Sequence, residues 1–316
     1  MDLAPKPLLL AGTRLTGDKP HIGTYYGWIN PIIRASEEMN VCVMIADYQS
    51  LDIYHEIKYS KVGQNLKRTL RKLLPSSVPI ILESEILSIL NLGLIISRLF
   101  TKSYLNRIAP FRKLRNEGNS ISLNTLMYPS LMIADILAIG ATHILSKPEG
   151  KFQHLDVIND VLKKGHSYYC WPNVKLKAYK KKKINIPSLD GSGPMKRDRE
   201  SSGLIEIIDT SQEDIERRLL QAKIPALVEY PHLRRAQCNV IAQIRSSIDR
   251  EQSPAVCGQL PYPCNWCVSN LAKEIYSDIK CRHRYDIVNS EKDIIELAEI
   301  RARQFIDLAL QNRDDL

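Results

Sequence analysis

The chain has 316 residues, 44% of them hydrophobic and 25% charged, which is enough for one large folded domain or two ordinary ones with a sizeable core. No apolar run approaches the roughly 18 residues of a membrane span, and the N-terminus lacks the apolar stretch and cleavage site of a secretory signal, so the expectation is a soluble, cytoplasmic protein that does not enter a membrane. Lys and Arg together outnumber Asp and Glu by 44 to 35; that surplus suits a polyanionic partner such as nucleic acid, and solubility alone also accounts for it.

The first element is the apolar run Leu8-Leu9-Leu10, followed by AGTRLTGDKPHIGTYYG from Ala11 to Gly27 and then by helical spacing. This reads as a strand-to-helix turn. Gly12, Gly17 and Gly23 let backbone approach a ligand closely, and His21, Gly23 and Thr24 fall where the helix begins and its free N–H groups face an anion. The spacing excludes the dinucleotide pattern G-x-G-x-x-G and the phosphate loop G-x-x-x-x-G-K-[ST].

Through residue 200, short β-branched runs at Val41–Ala46, Val78–Leu82 and His143–Leu145 alternate with helical segments, the pattern of a doubly wound parallel α/β sheet. After Gly203 the pattern turns helical. Thr210 and Glu213 read as a capping box, with Ile215, Leu219 and Leu220 on one helix face. Asn289 or Ser290 caps a last helix whose stripe is Ile294, Leu297, Ile300, Phe305 and Leu308. The expected organisation is a catalytic α/β domain over 1–200, a smaller helical domain over 201–288 and a C-terminal helix over 289–316. Between 171 and 200 basic residues outnumber acidic ones nine to three. These basic residues could meet a polyanion, and Lys180–Lys183 could equally be a solvated loop.

Seven cysteines are too scattered for a disulfide framework. Four of them, Cys238-x18-Cys257-x6-Cys264-x2-Cys267, have metal-ligand spacing, and on ligand count Zn²⁺ and a [4Fe–4S] cluster fit equally well, with four free thiols as the remaining alternative. Cys42 and Cys170 read as core thiols, and Cys281 as a spare ligand.

Tyr128–Asp160, YPSLMIADILAIGATHILSKPEGKFQHLDVIND, resembles the tryptophanyl-tRNA synthetase segment that carries Y-P-x-L-M-A-A-D-I-L and G-E-D-Q-K-Q-H. His21-Ile22-Gly23-Thr24 resembles the first class I signature; Ile45-Ala46-Asp47, Leu105-Asn106-Arg107 with Phe111, and Ser188–Gly191 match in the same order. The resemblance implies a Rossmann-like domain that binds ATP with Mg²⁺ and tryptophan, forms tryptophanyl-adenylate and charges tRNA, in a homodimer. Residue by residue it implies His21, Thr24, Lys196 and Arg197 in catalysis. Tyr128, Met132, Asp135, Lys151 and Gln153 would bind substrate, with Asp135 on the indole N–H and Tyr128 on the α-amino group. Gly12, Arg14, Gly23 and Met195 would bind ATP. It also implies an iron–sulfur cluster rather than zinc on Cys238, Cys257, Cys264 and Cys267.

The sequence departs from that family at identifiable places. Pro194-Met195-Lys196-Arg197-Asp198 replaces the KMSKS signature, Gly150 and Lys151 stand where Asp and Gln are usual, and Arg14 stands where the first signature region has Gln. These changes cluster near ATP and the α-amino group. Two alternatives therefore remain beside the tRNA ligase: a tRNA-independent ligase that passes an aminoacyl-adenylate to a small amine, and a non-catalytic paralogue that binds tryptophan or tRNA.

Overall fold

The computed structural model describes residues 7–15, 19–51, 59–106, 108, 111, 116, 121–146, 154–180, 184, 186–190, 193–195, 203–222, 244, 248, 265–280 and 290–311. Five strands, β1 (Leu8–Arg14), β2 (Asn40–Ala46), β3 (Ile80–Leu82), β4 (His143–Ser146) and β5 (Lys177–Lys180), form one sheet in the order β3-β2-β1-β4-β5. Every pairing is parallel. The architecture is the expected Rossmann-like α/β fold, and its strand order reverses direction between β1 and β4. In such sheets a ligand crevice opens beyond the carboxyl ends of the strands at that point.

A parallel sheet is covered on both faces, which is why Val41–Ala46 is buried along its whole length. Over one face lie α1 (Ile22–Thr24), a π-helical turn at Tyr25–Ile29, α2 (Asn30–Glu38) and α3 (Tyr59–Arg71). Ile215 and Leu219 of α8 (Gln212–Leu220) and Leu271, Ala272 and Ile275 of α9 (Asn265–Lys280) join the same apolar core. Over the other face lie α4 (Ile89–Ser97), α6 (Leu123–Ile139), α7 (His154–Tyr169) and α10 (Ser290–Gln311); the four-residue α5 (Lys102–Leu105) precedes α6.

Helix α6 carries three candidate site residues, and its position is fixed at several points. Ser122 caps its start by accepting the Thr125 N–H, and Gly140, at φ 72°, ends it in the left-handed conformation that glycine adopts without strain. Arg301 of α10 donates to the Ile139 carbonyl at 2.6 Å, placing a cation at the negative end of the helix. A Cβ on Gly93 would lie 2.7 Å from Leu131 Cδ2, so glycine there lets α4 and α6 approach closely.

Several local expectations are corrected. Ser211, not Thr210, caps α8, with Asp214 closing the box; the Thr210 hydroxyl instead donates to the Glu206 carbonyl at 2.8 Å. Leu220 is 47% exposed rather than on the buried face. In α10 the most deeply buried residues are Ala298, Ala302 and Ala309, while Leu297 and Ile300 of the expected stripe face solvent. Small residues let this helix lie close to α4 and α6. Cys42 is a buried thiol, but Cys170 is exposed and has φ 54°. The lysine-rich segment begins as an edge strand, since Lys177–Lys180 pairs with β4; lysines are suited to an edge because their charge opposes further pairing.

Candidate active site

The carboxyl ends of β1, β2 and β3 deliver polar residues to one region. Arg14 is the last residue of β1, Asp47 follows β2, and Glu83 follows β3. Arg14 Nη2 donates to the Gln49 carbonyl at 2.8 Å, which ties the end of β1 to the turn after β2. Gly12 is exposed, and a Cβ built on it would meet nothing within 4 Å, so the space over this strand end is open.

His21 is buried and precedes α1; its Nδ1 accepts the Thr24 N–H at 3.3 Å, which leaves the ring proton of a neutral imidazole on Nε2. A segment from the far side of the chain braces this turn. Ile22 N–H donates to the Ile205 carbonyl at 2.9 Å, and Ile207 N–H to the Pro20 carbonyl at 3.2 Å. A Cβ on Gly23 would lie 3.0 Å from the His21 ring and 3.4 Å from Met195 Cβ, so a larger residue there would crowd both. Met195 itself is a core residue whose N–H donates to the Ile186 carbonyl at 2.7 Å. Gly193, at φ 115°, occupies a conformation that favours glycine, which accounts for one of the glycines preceding the altered signature. The structure thus brings the first signature against the start of the second. Lys196, Arg197, Lys151 and Gln153 lie outside the described residues.

On α6, Tyr128, Met132 and Asp135 are spaced four and three apart and share a face. Met132 is partly buried against the core, and the Tyr128 ring lies 5.7 Å from that of Phe111. Burial pushes the Tyr128 hydroxyl up to about 12, with the Arg14 charge opposing the shift. Asp135 is 4% exposed and pairs with no base among the described residues. Its Oδ2 accepts from Gln49 Nε2 at 2.9 Å, and its Oδ1 is buried with no hydrogen-bond partner among the described residues.

Two further residues of this site were not singled out from the sequence: Gln49 and Glu83. Gln49 Nε2 also donates to Glu83 Oε1 at 3.1 Å, and its backbone N–H to Glu83 Oε2 at 3.3 Å. Glu83 is fully buried. Burial, and then the charge of Asp47, raises its carboxyl to about 7, against the hydrogen bonds from Gln49. Asp135 is raised well above the carboxylate range, first by burial and then by the Glu83 charge. Asp47 is raised by burial but held by Ser84, whose N–H reaches Oδ1 at 2.9 Å.

The four cysteines of the expected metal site fall almost wholly outside the described residues. Cys238, Cys257 and Cys264 lie outside the described residues, and Cys267 is placed only as backbone in the first turn of α9. Among the described residues, no group of three or more His, Cys, Asp or Glu could hold a metal ion. No helix among them is long and apolar enough to cross a membrane.

Residues 4–154 match the family model described as tRNA synthetases class I (W and Y). The chain is 26% identical over 235 residues to the tryptophan–tRNA ligase of Porphyromonas gingivalis, covering 71% of this chain and 69% of that protein. Against the tryptophan–tRNA ligase of Thermotoga maritima, 26% identity spans 67% of this chain and 66% of the relative. The tryptophanyl-tRNA synthetase of Campylobacter jejuni, solved with ADP and tryptophan, superposes with a TM-score of 0.64 at 21% identity over 96% of this chain and 97% of that one. That last likeness concerns the fold.

Proposed function

We propose, starting from the match of residues 4–154 to the model of class I tRNA synthetases of the tryptophan and tyrosine type, that the protein activates tryptophan with ATP and passes it to a tRNA. The observation that carries this reading is Asp135 Oδ1, buried without a hydrogen-bond partner among the described residues, on the face of α6 that also bears Tyr128 and Met132. A buried acceptor left without a donor costs about 1–3 kcal/mol, and an indole offers one N–H to satisfy it. A side chain without such a donor leaves the cost in place, which discriminates by up to roughly 10²-fold.

In this reading the substrate carboxylate attacks the α-phosphorus of ATP, the bond to the bridging oxygen breaks, and pyrophosphate leaves with the electron pair. The protein's part is to hold these groups in line and to neutralise charge as it moves onto pyrophosphate. Gly12, Arg14, Gly23 and Met195 would frame ATP at the end of β1. His21 and Thr24 would meet its phosphates, Lys196 and Arg197 would receive the leaving pyrophosphate, and Mg²⁺ bound with ATP would add positive charge. Tyr128, Lys151 and Gln153 would hold the α-amino end. Arg offers a planar fork for phosphate oxygens where the usual signature has Lys.

The same reading assigns ATP and tryptophan binding to 1–200, a helical domain on the anticodon side to 201–288 and a closing helix to 289–316. The four-cysteine spacing supports a cluster in that helical domain, iron–sulfur ahead of zinc; iron, sulfide and zinc analysis of anaerobically purified protein separates them. A homodimer fits the exposed Leu87, Leu90 and Leu94 at the start and along α4, and a location in the cytoplasm, where tRNA is charged, goes with the assignment.

ATP–pyrophosphate exchange over a panel of amino acids, followed by acylation with and without tRNA, tests the proposal. Tryptophan-dependent exchange with tRNA charging supports it. Exchange without charging favours the tRNA-independent ligase, a reading that Lys196-Arg197-Asp198 in the altered signature also supports. Binding without exchange favours the non-catalytic paralogue.

A further inference from the structure

The reading above gives no task to Gln49 and Glu83, yet both are buried at the centre of the site. Gln49 sits in the turn after β2 and Glu83 at the start of the turn after β3, so adjacent parallel strands fix their separation. One amide group, Gln49 Nε2, donates to Asp135 Oδ2 at 2.9 Å and to Glu83 Oε1 at 3.1 Å, which commits both of its hydrogens. The Gln49 backbone N–H holds the second Glu83 oxygen. Asp135 is therefore gripped along its Oδ2 edge, and Oδ1 is the atom left for a ligand.

We propose that Gln49 and Glu83 are specificity-determining positioning residues: by fixing Asp135 through Oδ2 they leave Oδ1 as a single acceptor, which selects a neutral ring bearing one N–H donor. The inference rests on the reading of Asp135 as the partner of the substrate side chain. Two carboxyl groups this close cannot both ionise in a buried site without strong repulsion. One proton shared by the pair leaves it with a single negative charge and relieves that repulsion. The titratable groups that act on the pair are Asp47 and Tyr48 after β2 and the Cys42 thiol of β2, and the Arg14 guanidinium is held nearby on the Gln49 carbonyl.

The test is ATP–pyrophosphate exchange between pH 6 and 9, with wild type, Gln49→Leu and Glu83→Gln, each given tryptophan, phenylalanine and tyrosine. Gln49→Leu is expected to raise KM for tryptophan by about tenfold or more, the scale of one lost buried hydrogen bond, to change kcat by less than about threefold, and to reduce discrimination against phenylalanine. In wild type KM should change with pH as the shared proton is lost; Glu83→Gln removes the second negative charge, so that dependence should flatten. A merely structural role would not move the pH profile. Variants that keep the wild-type KM, selectivity and pH profile overturn the inference, and if Gln49→Leu does not fold, the Glu83→Gln profile decides. If wild type exchanges no tryptophan, the tryptophan reading fails instead, and the same comparison is made with the amino acid it does activate.

Discussion

The two ends of the candidate site are built on opposite principles. At the side-chain end three carboxyl groups, Asp47, Glu83 and Asp135, are almost fully buried and held by Gln49 and Ser84 in a network that exists before any substrate arrives. At the phosphate end Gly12 and Arg14 are exposed at the tip of β1, and backbone bonds to Ile205 and Ile207 brace the His21 turn. The contrast follows from what each end would recognise. A neutral ring with one N–H is selected by a rigid acceptor in a dry pocket, because rigidity is what leaves a wrong ring unsatisfied. Phosphates are recognised through charge that changes during reaction, and a more open end leaves room for the basic residues that follow Met195.

If the comparison is right, damage at the side-chain end should give the largest loss. Asp135→Ala should lower kcat/KM for tryptophan by about 10²-fold or more, near 3 kcal/mol for a buried hydrogen bond left unmade. Wild-type selectivity against phenylalanine in that variant would break the comparison at its strongest point. Arg197→Ala probes the other end and should cost less, about tenfold in the rate of activation, with tryptophan affinity nearly unchanged because the charge it meets develops in the transition state. Pre-steady-state adenylate formation separates the two effects. A large rise in tryptophan Kd for Arg197→Ala would mean that the ends are not independent.

The buried network also has a stability signature. A carboxyl raised on folding binds its proton more tightly in the native state, so its contribution is fully present below the unfolded value and is lost as pH rises through the folded one. For Glu83 that window runs from an unfolded value of about 4.3 to about 7. Melting temperature should therefore fall across this range by an amount that Glu83→Gln reduces, roughly 2–5 °C for a chain of this size. Calorimetry at intervals of half a pH unit checks it, and identical slopes for both proteins would place the proton elsewhere.

Much of the fold could be read in advance because parallel strands are buried on both faces and show as β-branched runs, as at Val41–Ala46. β5 was not legible as a strand. Its sequence, Lys-Ala-Tyr-Lys, belongs to an edge, where charge is compatible with pairing to one neighbour and masks the strand pattern. The α8 cap was displaced by one residue because Thr210 and Ser211 are both good caps, and only the bond from Thr210 to Glu206 shows which is engaged elsewhere. At the site, Asp135, Tyr128 and Met132 were visible as a helical face within one motif. Gln49 and Glu83 were not, since 86 and 52 residues separate them from Asp135 and only the adjacency of β2 and β3 brings all three together. The available signal was positional: each follows closely on a buried apolar strand, where a polar side chain falls at the carboxyl edge of the sheet.

The smallest effect concerns how the open end is kept in place. Tyr25 OH donates to the Asp278 carbonyl at 2.7 Å, and Tyr26 OH to the Asp278 carboxylate at 2.8 Å, so the π-helical turn behind the first signature is fastened to α9. Burial, followed by the Asp278 charge, raises the Tyr26 hydroxyl above its ordinary value, so it stays a protonated donor through the neutral range. A double-mutant cycle with Tyr26→Phe and Asp278→Ala should give a coupling of about 1–2 kcal/mol in unfolding free energy. The kinetic consequence should be confined to the phosphate end: Tyr26→Phe should alter KM for ATP by no more than a few-fold and leave KM for tryptophan unchanged, because Asp135 is held by Gln49 and not by α9. If Tyr26→Phe weakened tryptophan and ATP equally, the network around Asp135 would depend on the brace after all, and the rigidity assigned to that pocket would belong to the whole interface between the first turn and α9.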